Sequence, residues 1–134
     1  MDKNLKDQDV LLVKEKNSNE LKVVKGIDPE NGKPDTVSPK SENQPDFMKF
    51  DRHGNALENF MANFSRQFKN PTQFLFFKAP ADKAEEAANN LQAALKHPET
   101  PENKQFVDMH RVEPPMQNQK EYAIHPDLVN WEKF

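Results

Sequence analysis

Hydrophobic residues near the N-terminus cluster in two short runs, 10–16 and 21–27, which the polar triplet Asn17-Ser18-Asn19 separates. Both runs are rich in valine and leucine, and their pattern predicts a β-hairpin with a short polar loop. Apolar side chains alternate onto both sides of the first run, so we expect that strand to be covered on both faces. A lone hairpin is marginally stable in water, which predicts further strands or helices packed against it.

Apolar residues between positions 57 and 68 recur at the spacing of one helix face. They are Leu57, Phe60, Met61, Phe64 and Phe68. This spacing predicts an amphipathic α-helix. Asn55 and Glu58 stand three residues apart at its start, as in a capping box. Pro71 ends it, because the residue before a proline avoids the α region.

Three segments around this helix complete the predicted sheet region. The apolar run 73–77 suits a central strand, and Phe47–Asp51 is predicted as a third short strand. Residues 28–46 contain four prolines and Asn31-Gly32, which predict a loop with a short extended piece at 35–37. Eight of the ten phenylalanines lie between residues 47 and 77, so we expect the core there.

Two further helices are predicted after the central strand. The first spans residues 79–96, with Pro80 in its first turn and acidic residues that complement its N-terminal dipole. Its small apolar face comprises Ala84, Ala87, Ala88, Leu91, Ala94 and Leu95. A shorter third helix begins with Thr100 as cap and Pro101 in the first turn, and ends near Val112.

These elements predict one small α+β domain over residues 9–112, in which a small antiparallel sheet is covered by two main helices and a short third helix. We expect residues 1–8 to be disordered and residues 113–121 to form a linker. The segment 122–134 regains apolar residues at helical spacing, and this short helix cannot bury its face alone. It either docks back onto the domain or begins a following one. We favour the second, with Tyr122, Trp131 and Phe134 as candidate partner contacts.

Composition agrees with one small folded unit flanked by polar segments. Hydrophobic residues make up 34% and charged residues 31% of the 134 positions. The three glycines add only about 2%, so the apolar share stays below the roughly 45–50%, glycine included, of an ordinary domain. The absence of cysteine excludes disulfides, cysteine-ligated metals and a thiol nucleophile. The longest apolar run, Val10–Val13, is far shorter than a membrane span, and no signal-peptide core precedes it. We therefore expect a cytoplasmic protein without membrane contact.

No motif for catalysis or cofactor binding stands out. The four histidines, His53, His97, His110 and His125, do not pair with one another or with carboxylates at metal-ligand spacing on one helix face. Three glycines do not supply a phosphate-cradling loop. We predict no enzyme activity, no metal and no cofactor.

One charged stretch differs from the acidic average of the chain, whose net charge is −3. No acidic residue occurs between Asn59 and Ala81, whereas Arg66, Lys69 and Lys78 do, with aromatic residues interleaved. These three cations are candidate contacts for nucleic-acid phosphates. The alternative is that Arg66 and Lys69 occupy the solvent-exposed face of the phenylalanine helix, with Lys69 near its C-terminus, where the helix dipole favours a cation.

Several strings of this sequence together resemble a known group of proteins. They are VKGID at 24–28, DFMKFDRHG at 46–54, NFMANFSRQFKNPTQFLFFKAP at 59–80 and YAIHPDLVNW at 122–131. The first three resemble the N-terminal segment of large proteins, built of domains of unknown function, that conjugative transposons and other mobile elements of Bacteroides-type bacteria carry. The fourth resembles the start of the first domain that follows in those proteins. The resemblance implies a genomic context near DNA-processing genes and supplies no catalytic residue. In those proteins a proline- and glutamine-rich linker and further domains follow.

The sequence thus predicts a non-enzymatic N-terminal adaptor or protein-interaction module of a mobile-element protein. Its partner is another protein or a downstream domain of the same longer chain. The alternative is a nucleic-acid-binding accessory module that uses the basic stretch 66–78.

Overall fold

The computed structural model describes residues 7–28, 30, 33–67 and 74–112, and for residues 64–67 it describes the backbone. Within these residues six strands form one antiparallel sheet: β1 Gln8–Glu15, β2 Leu21–Ile27, β3 Pro34–Val37, β4 Phe50–Asp51, β5 Phe74–Pro80 and β6 Arg111–Val112. The helices are α1 Ala56–Gln67, α2 Ala84–Leu95 and α3 Pro101–His110. Two 3₁₀ segments, Ser41–Asp46 and Ala81–Lys83, precede β4 and α2.

The strand β1 lies at the centre of the sheet, whose order is β3-β2-β1-β5-β6. One edge of β1 pairs with the whole of β5, from Asp9 opposite Pro80 to Glu15 opposite Phe74. The other edge is shared, because β2 pairs with residues 12–14 and β4 pairs with Gln8 and Asp9. The hairpin is therefore the centre of the fold, and β4 extends the β2 side of the sheet.

Helices cover both faces of the sheet, because side chains of β1 alternate between two cores. Val10 and Leu12 face the core under α2 and α3, and Leu11 and Val13 face the core under α1; each is at most 4% exposed. The expected cover on both faces of the first strand is confirmed. An aromatic contact, with ring centroids of Phe50 and Phe60 5.4 Å apart, packs α1 on β4.

The α+β class and the hairpin are confirmed. The turn places Asn17 at φ 74°, a left-handed conformation that asparagine tolerates better than most residues. The Ser18 N–H donates to the Glu15 carbonyl (3.0 Å) and closes the turn. The extended piece predicted at 35–37 is β3, and α1 begins directly after Asn55, whose carbonyl accepts the Asn59 N–H (2.9 Å).

Several predicted boundaries are wrong. Pro80 is the last residue of β5 and not part of a helix, because β1 offers pairing partners as far as Asp9. The following helix begins only at Ala84. The third helix ends at His110 because the next two residues pair with Phe76 and Phe77 as β6.

Three further details differ from expectation. Thr100 occupies the N-cap position of α3 but its side chain makes no capping hydrogen bond. In the predicted third strand only Phe50 and Asp51 pair as β4, whereas Phe47 packs in the core under α2. Gln8, predicted to belong to a disordered tail, is the first residue of β1. The predicted linker 113–121 and the segment 122–134 lie outside the described residues.

Candidate partner-binding cleft

A cleft of about 210 Å³ opens where the chain passes from β5 into α2. Its lining residues come from two segments that lie far apart in the sequence. They are Pro39, Ser41, Gln44 and Phe47 on one side, and Ala81, Asp82, Lys83, Ala84, Glu85 and Glu86 on the other. We call this feature the α2 cleft.

Proline and strand pairing shape both walls. The segment 39–47 stays outside the sheet, because Pro39 and Pro45 donate no backbone hydrogen bond to a strand ladder; instead it forms the 3₁₀ segment Ser41–Asp46. The opposite wall begins where β5 runs out of partners at Pro80 and turns through Ala81–Lys83 into α2.

One hydrogen bond joins the two walls, and two more hold the first wall in shape. The Gln44 Nε2 donates to the Ala81 carbonyl (3.0 Å). The Lys49 ammonium donates to the carbonyls of Gln44 (2.7 Å) and Phe47 (3.3 Å). A site whose walls are already fixed loses less conformational entropy when it binds a partner, so the α2 cleft is preorganised.

The floor and the rim of the cleft differ in chemistry. Phe47, Ala81 and Ala84 are nearly fully buried and belong to the core under α2, so the floor is apolar. The rim is exposed and carries the carboxylates of Asp82, Glu85 and Glu86 beside one ammonium, that of Lys83. In the described part of the chain none of these carboxylates forms an ion pair.

The sign of the charge at this rim follows from two opposing contributions. The N-terminus of a helix carries about half a positive charge, and neither Pro80 nor Lys83 caps it with a side chain. The lining residues carry three carboxylates and one ammonium, a formal charge of −2. The Lys49 ammonium on the carbonyls of Gln44 and Phe47 reduces this to −1, which still outweighs that half charge. The α2 cleft therefore favours cationic over anionic groups.

The nearest ion pair outside the cleft connects β1 to the turn after β4. The Arg52 Nη2 lies 2.9 Å and its Nε 3.0 Å from Oδ1 of the buried Asp9. This hydrogen bond chiefly raises the pKa of Arg52, and the charges of Asp7 and Asp82 add to the effect. The Asp82 carboxylate thus acts electrostatically on Arg52 as well as lining the cleft.

A second, smaller cavity of about 80 Å³ lies beside the hairpin end of the sheet. Its lining residues are Val13, Glu15, Ser18, Glu20, Lys22, Pro34, Thr36 and Phe74. It mixes both signs of charge and holds less than half the volume of the α2 cleft, which is therefore the better candidate.

The predicted site residues are placed as follows. Lys78 is exposed in β5 and pairs with Leu11, on the sheet face that α1 covers. Arg66 lies in α1, where the structure describes its backbone. Lys69 lies outside the described residues. Tyr122, Trp131 and Phe134 also lie outside the described residues. Lys78 is therefore the one predicted contact whose side chain lies among the described residues.

Three of the four histidines lie among the described residues, each in different surroundings. His53 is exposed in a turn, His97 lies 3.5 Å from the Glu99 carboxylate, and His110 contacts the Phe106 carbonyl through Nδ1 (2.8 Å). His125 lies outside the described residues. Across residues 7–28, 30, 33–67 and 74–112, no three His, Asp or Glu side chains form a group that could hold a metal ion.

The sequence shows the acidic residues of the cleft, but its pattern relates them only to the helix dipole and to a solvated helix face. The Gln44–Ala81 contact spans 37 residues, and no local pattern reveals that these two segments meet. The clearest signal was the proline-punctuated segment 28–46, which had to run over the surface of the domain.

Comparison with known proteins finds no matching family model, curated protein or solved structure. The resemblance to mobile-element proteins therefore stays a prediction. In the described part of the chain, no helix has both the length and the apolar character needed to cross a bilayer.

Proposed function

We propose that this domain is a non-enzymatic protein-interaction module that binds a segment of a partner protein in the α2 cleft. The observation that carries the proposal is a surface cleft with a buried apolar floor, a charged rim and walls already joined by the Gln44–Ala81 hydrogen bond. Apolar floors with polar rims are the usual anatomy of protein interfaces.

The sequence resemblance adds a biological setting to this proposal. In that setting the module is the N-terminal adaptor of a mobile-element protein in the cytoplasm, and its partner is another protein or a downstream domain of the same chain. The candidate contacts Tyr122, Trp131 and Phe134 would belong to the segment that leads into that downstream part.

The test is selection from a random peptide display library with the full 134-residue chain. Two tryptophan variants serve as a matched pair: Ser41→Trp fills the cleft from its rim, and Ala93→Trp places the same bulk on an exposed site of α2 outside the cleft. We expect enriched peptides to bind the native chain and Ala93→Trp but not Ser41→Trp. Peptides that bind both variants equally, or no enrichment at all, would contradict the proposal.

The alternative function, nucleic-acid binding through the stretch 66–78, has one supporting observation, the exposed ammonium of Lys78 on β5. Fluorescence anisotropy with labelled single- and double-stranded DNA at two salt concentrations tests it. Salt-sensitive binding that Lys78→Glu and Arg66→Glu/Lys69→Glu both weaken would favour this alternative. No binding at micromolar protein would exclude it.

A further inference from the structure

We infer that the side chain the α2 cleft accepts from its partner is a lysine or an arginine. The inference rests on the proposed function and adds the chemistry of the partner. The partner is an extended basic segment, and one of its long cationic side chains binds between Pro39 and Glu86.

The size of the cleft limits its occupant. Sites for small molecules and cofactors usually enclose roughly 300–1,000 Å³, and the α2 cleft offers about 210 Å³. This space suits one side chain of a longer partner better than a whole cofactor.

The arrangement of apolar and charged groups limits it further. Lysine and arginine carry an apolar stem and a charged head, and they bury the stem while the head stays near water. In the α2 cleft a stem would lie over Phe47 and Pro39. The head would then lie at the exposed rim, near the carboxylates of Glu85 and Glu86.

Competing occupants fit less well. A carboxylate or phosphate would gain from the uncapped start of the helix, but the rim carries three carboxylates against one ammonium. A purely apolar side chain would fill the floor and leave those carboxylates without a counter-charge. A cation uses both the floor and the rim.

The test compares short acetylated, amidated peptides of glycine and serine that differ only in one central residue: lysine, norleucine or glutamate. Amide chemical shifts of the ¹⁵N-labelled full chain report binding. We expect the lysine peptide to shift the amides of Ala84, Glu85 and Glu86. It should bind at least about tenfold more tightly than the glutamate peptide, and added salt should weaken it.

A matched pair of variants controls for non-specific attraction. Ser41→Lys supplies a competing cation at the rim and should reduce binding of the lysine peptide about tenfold or more, a difference of roughly 1.4 kcal/mol. Ala93→Lys adds the same charge on α2 outside the cleft and should leave binding within about twofold, because exposed charges beyond a Debye length are largely screened.

The outcomes separate this inference from the proposed function. If the norleucine or glutamate peptide binds the same amides as tightly as the lysine peptide, the inference is wrong while the α2 cleft remains a binding site. If no peptide shifts these amides, or if salt has no effect, the inference is also wrong, and the display selection decides the proposed function on its own.

Discussion

The Gln92 side chain adds a hydrogen bond to the apolar packing of α2 on the hairpin at the centre of the fold. Its Oε1 accepts a hydrogen bond from the Leu21 N–H (2.8 Å), across 71 residues of sequence. Leu21 is 1% exposed, and Gln92 is half-buried. Replacement by alanine removes the acceptor and leaves this N–H without its partner.

The expected cost follows from the burial of that N–H. A typical intramolecular hydrogen bond contributes about 0.5–1.5 kcal/mol, and a buried group left unsatisfied costs about 1–3 kcal/mol. Because Gln92 is only half-buried, water can partly replace the lost acceptor. We therefore expect Gln92→Ala to lower the free energy of unfolding by about 1–2 kcal/mol, since helix propensity differs little between glutamine and alanine.

Urea unfolding followed by circular dichroism measures this loss, and hydrogen exchange at the Leu21 amide locates it. Asn89→Ala is the matched control, because Asn89 is exposed on the same helix and surface substitutions usually stay within about 0.5 kcal/mol. Gln92→Glu keeps an acceptor oxygen and should retain most of the stability. The reasoning is refuted if Gln92→Ala costs no more than Asn89→Ala, or if Gln92→Glu costs as much as Gln92→Ala.

Three further predictions test the core, the pH dependence and the backbone. Leu91 is 0% exposed under the sheet, so Leu91→Ala should cost about 2–5 kcal/mol in urea unfolding; a loss below about 1 kcal/mol would contradict this packing. Burial lowers the pKa of Lys14 from 10.5, so the unfolded chain binds more protons between the lowered value and 10.5, and stability rises with pH there. Lys14→Met should abolish that rise and stabilise the fold at neutral pH, and an unchanged pH profile would oppose it. A Cβ on Gly26 would meet nothing within 4 Å, so Gly26→Ala should raise stability by about 0.4–1 kcal/mol, whereas a lowered melting temperature would count against it.

Local patterns were sufficient for the elements whose periodicity extends over several residues. The hairpin and α1 follow from the spacing of apolar residues alone. The strand β1 buries both of its faces and α1 buries one, and each arrangement leaves a regular apolar pattern in the sequence. The burial of β1 on both faces was also predictable. Its residues from Val10 to Val13 are all apolar, and successive side chains of a strand point to opposite faces.

Elements that depend on distant partners were not predictable. A strand as short as β6 has no periodicity, and it exists because Phe76 and Phe77 offer a free edge to Arg111 and Val112. The extension of β5 to Pro80 likewise requires the pairing with Asp9. The α2 cleft depends on a contact between residues 37 positions apart. The sequence therefore shows which charged residues are present but does not predict that the two walls meet.

The most direct test of the account is whether a partner lysine lies in the α2 cleft. Isotope-filtered NOE spectra of the ¹⁵N,¹³C-labelled chain with the unlabelled lysine peptide measure this contact. We predict NOEs from the lysine methylenes to protons of Pro39 and Phe47, which Ser41→Lys abolishes. NOEs confined to residues outside the cleft, or NOEs that persist in Ser41→Lys, would contradict the account.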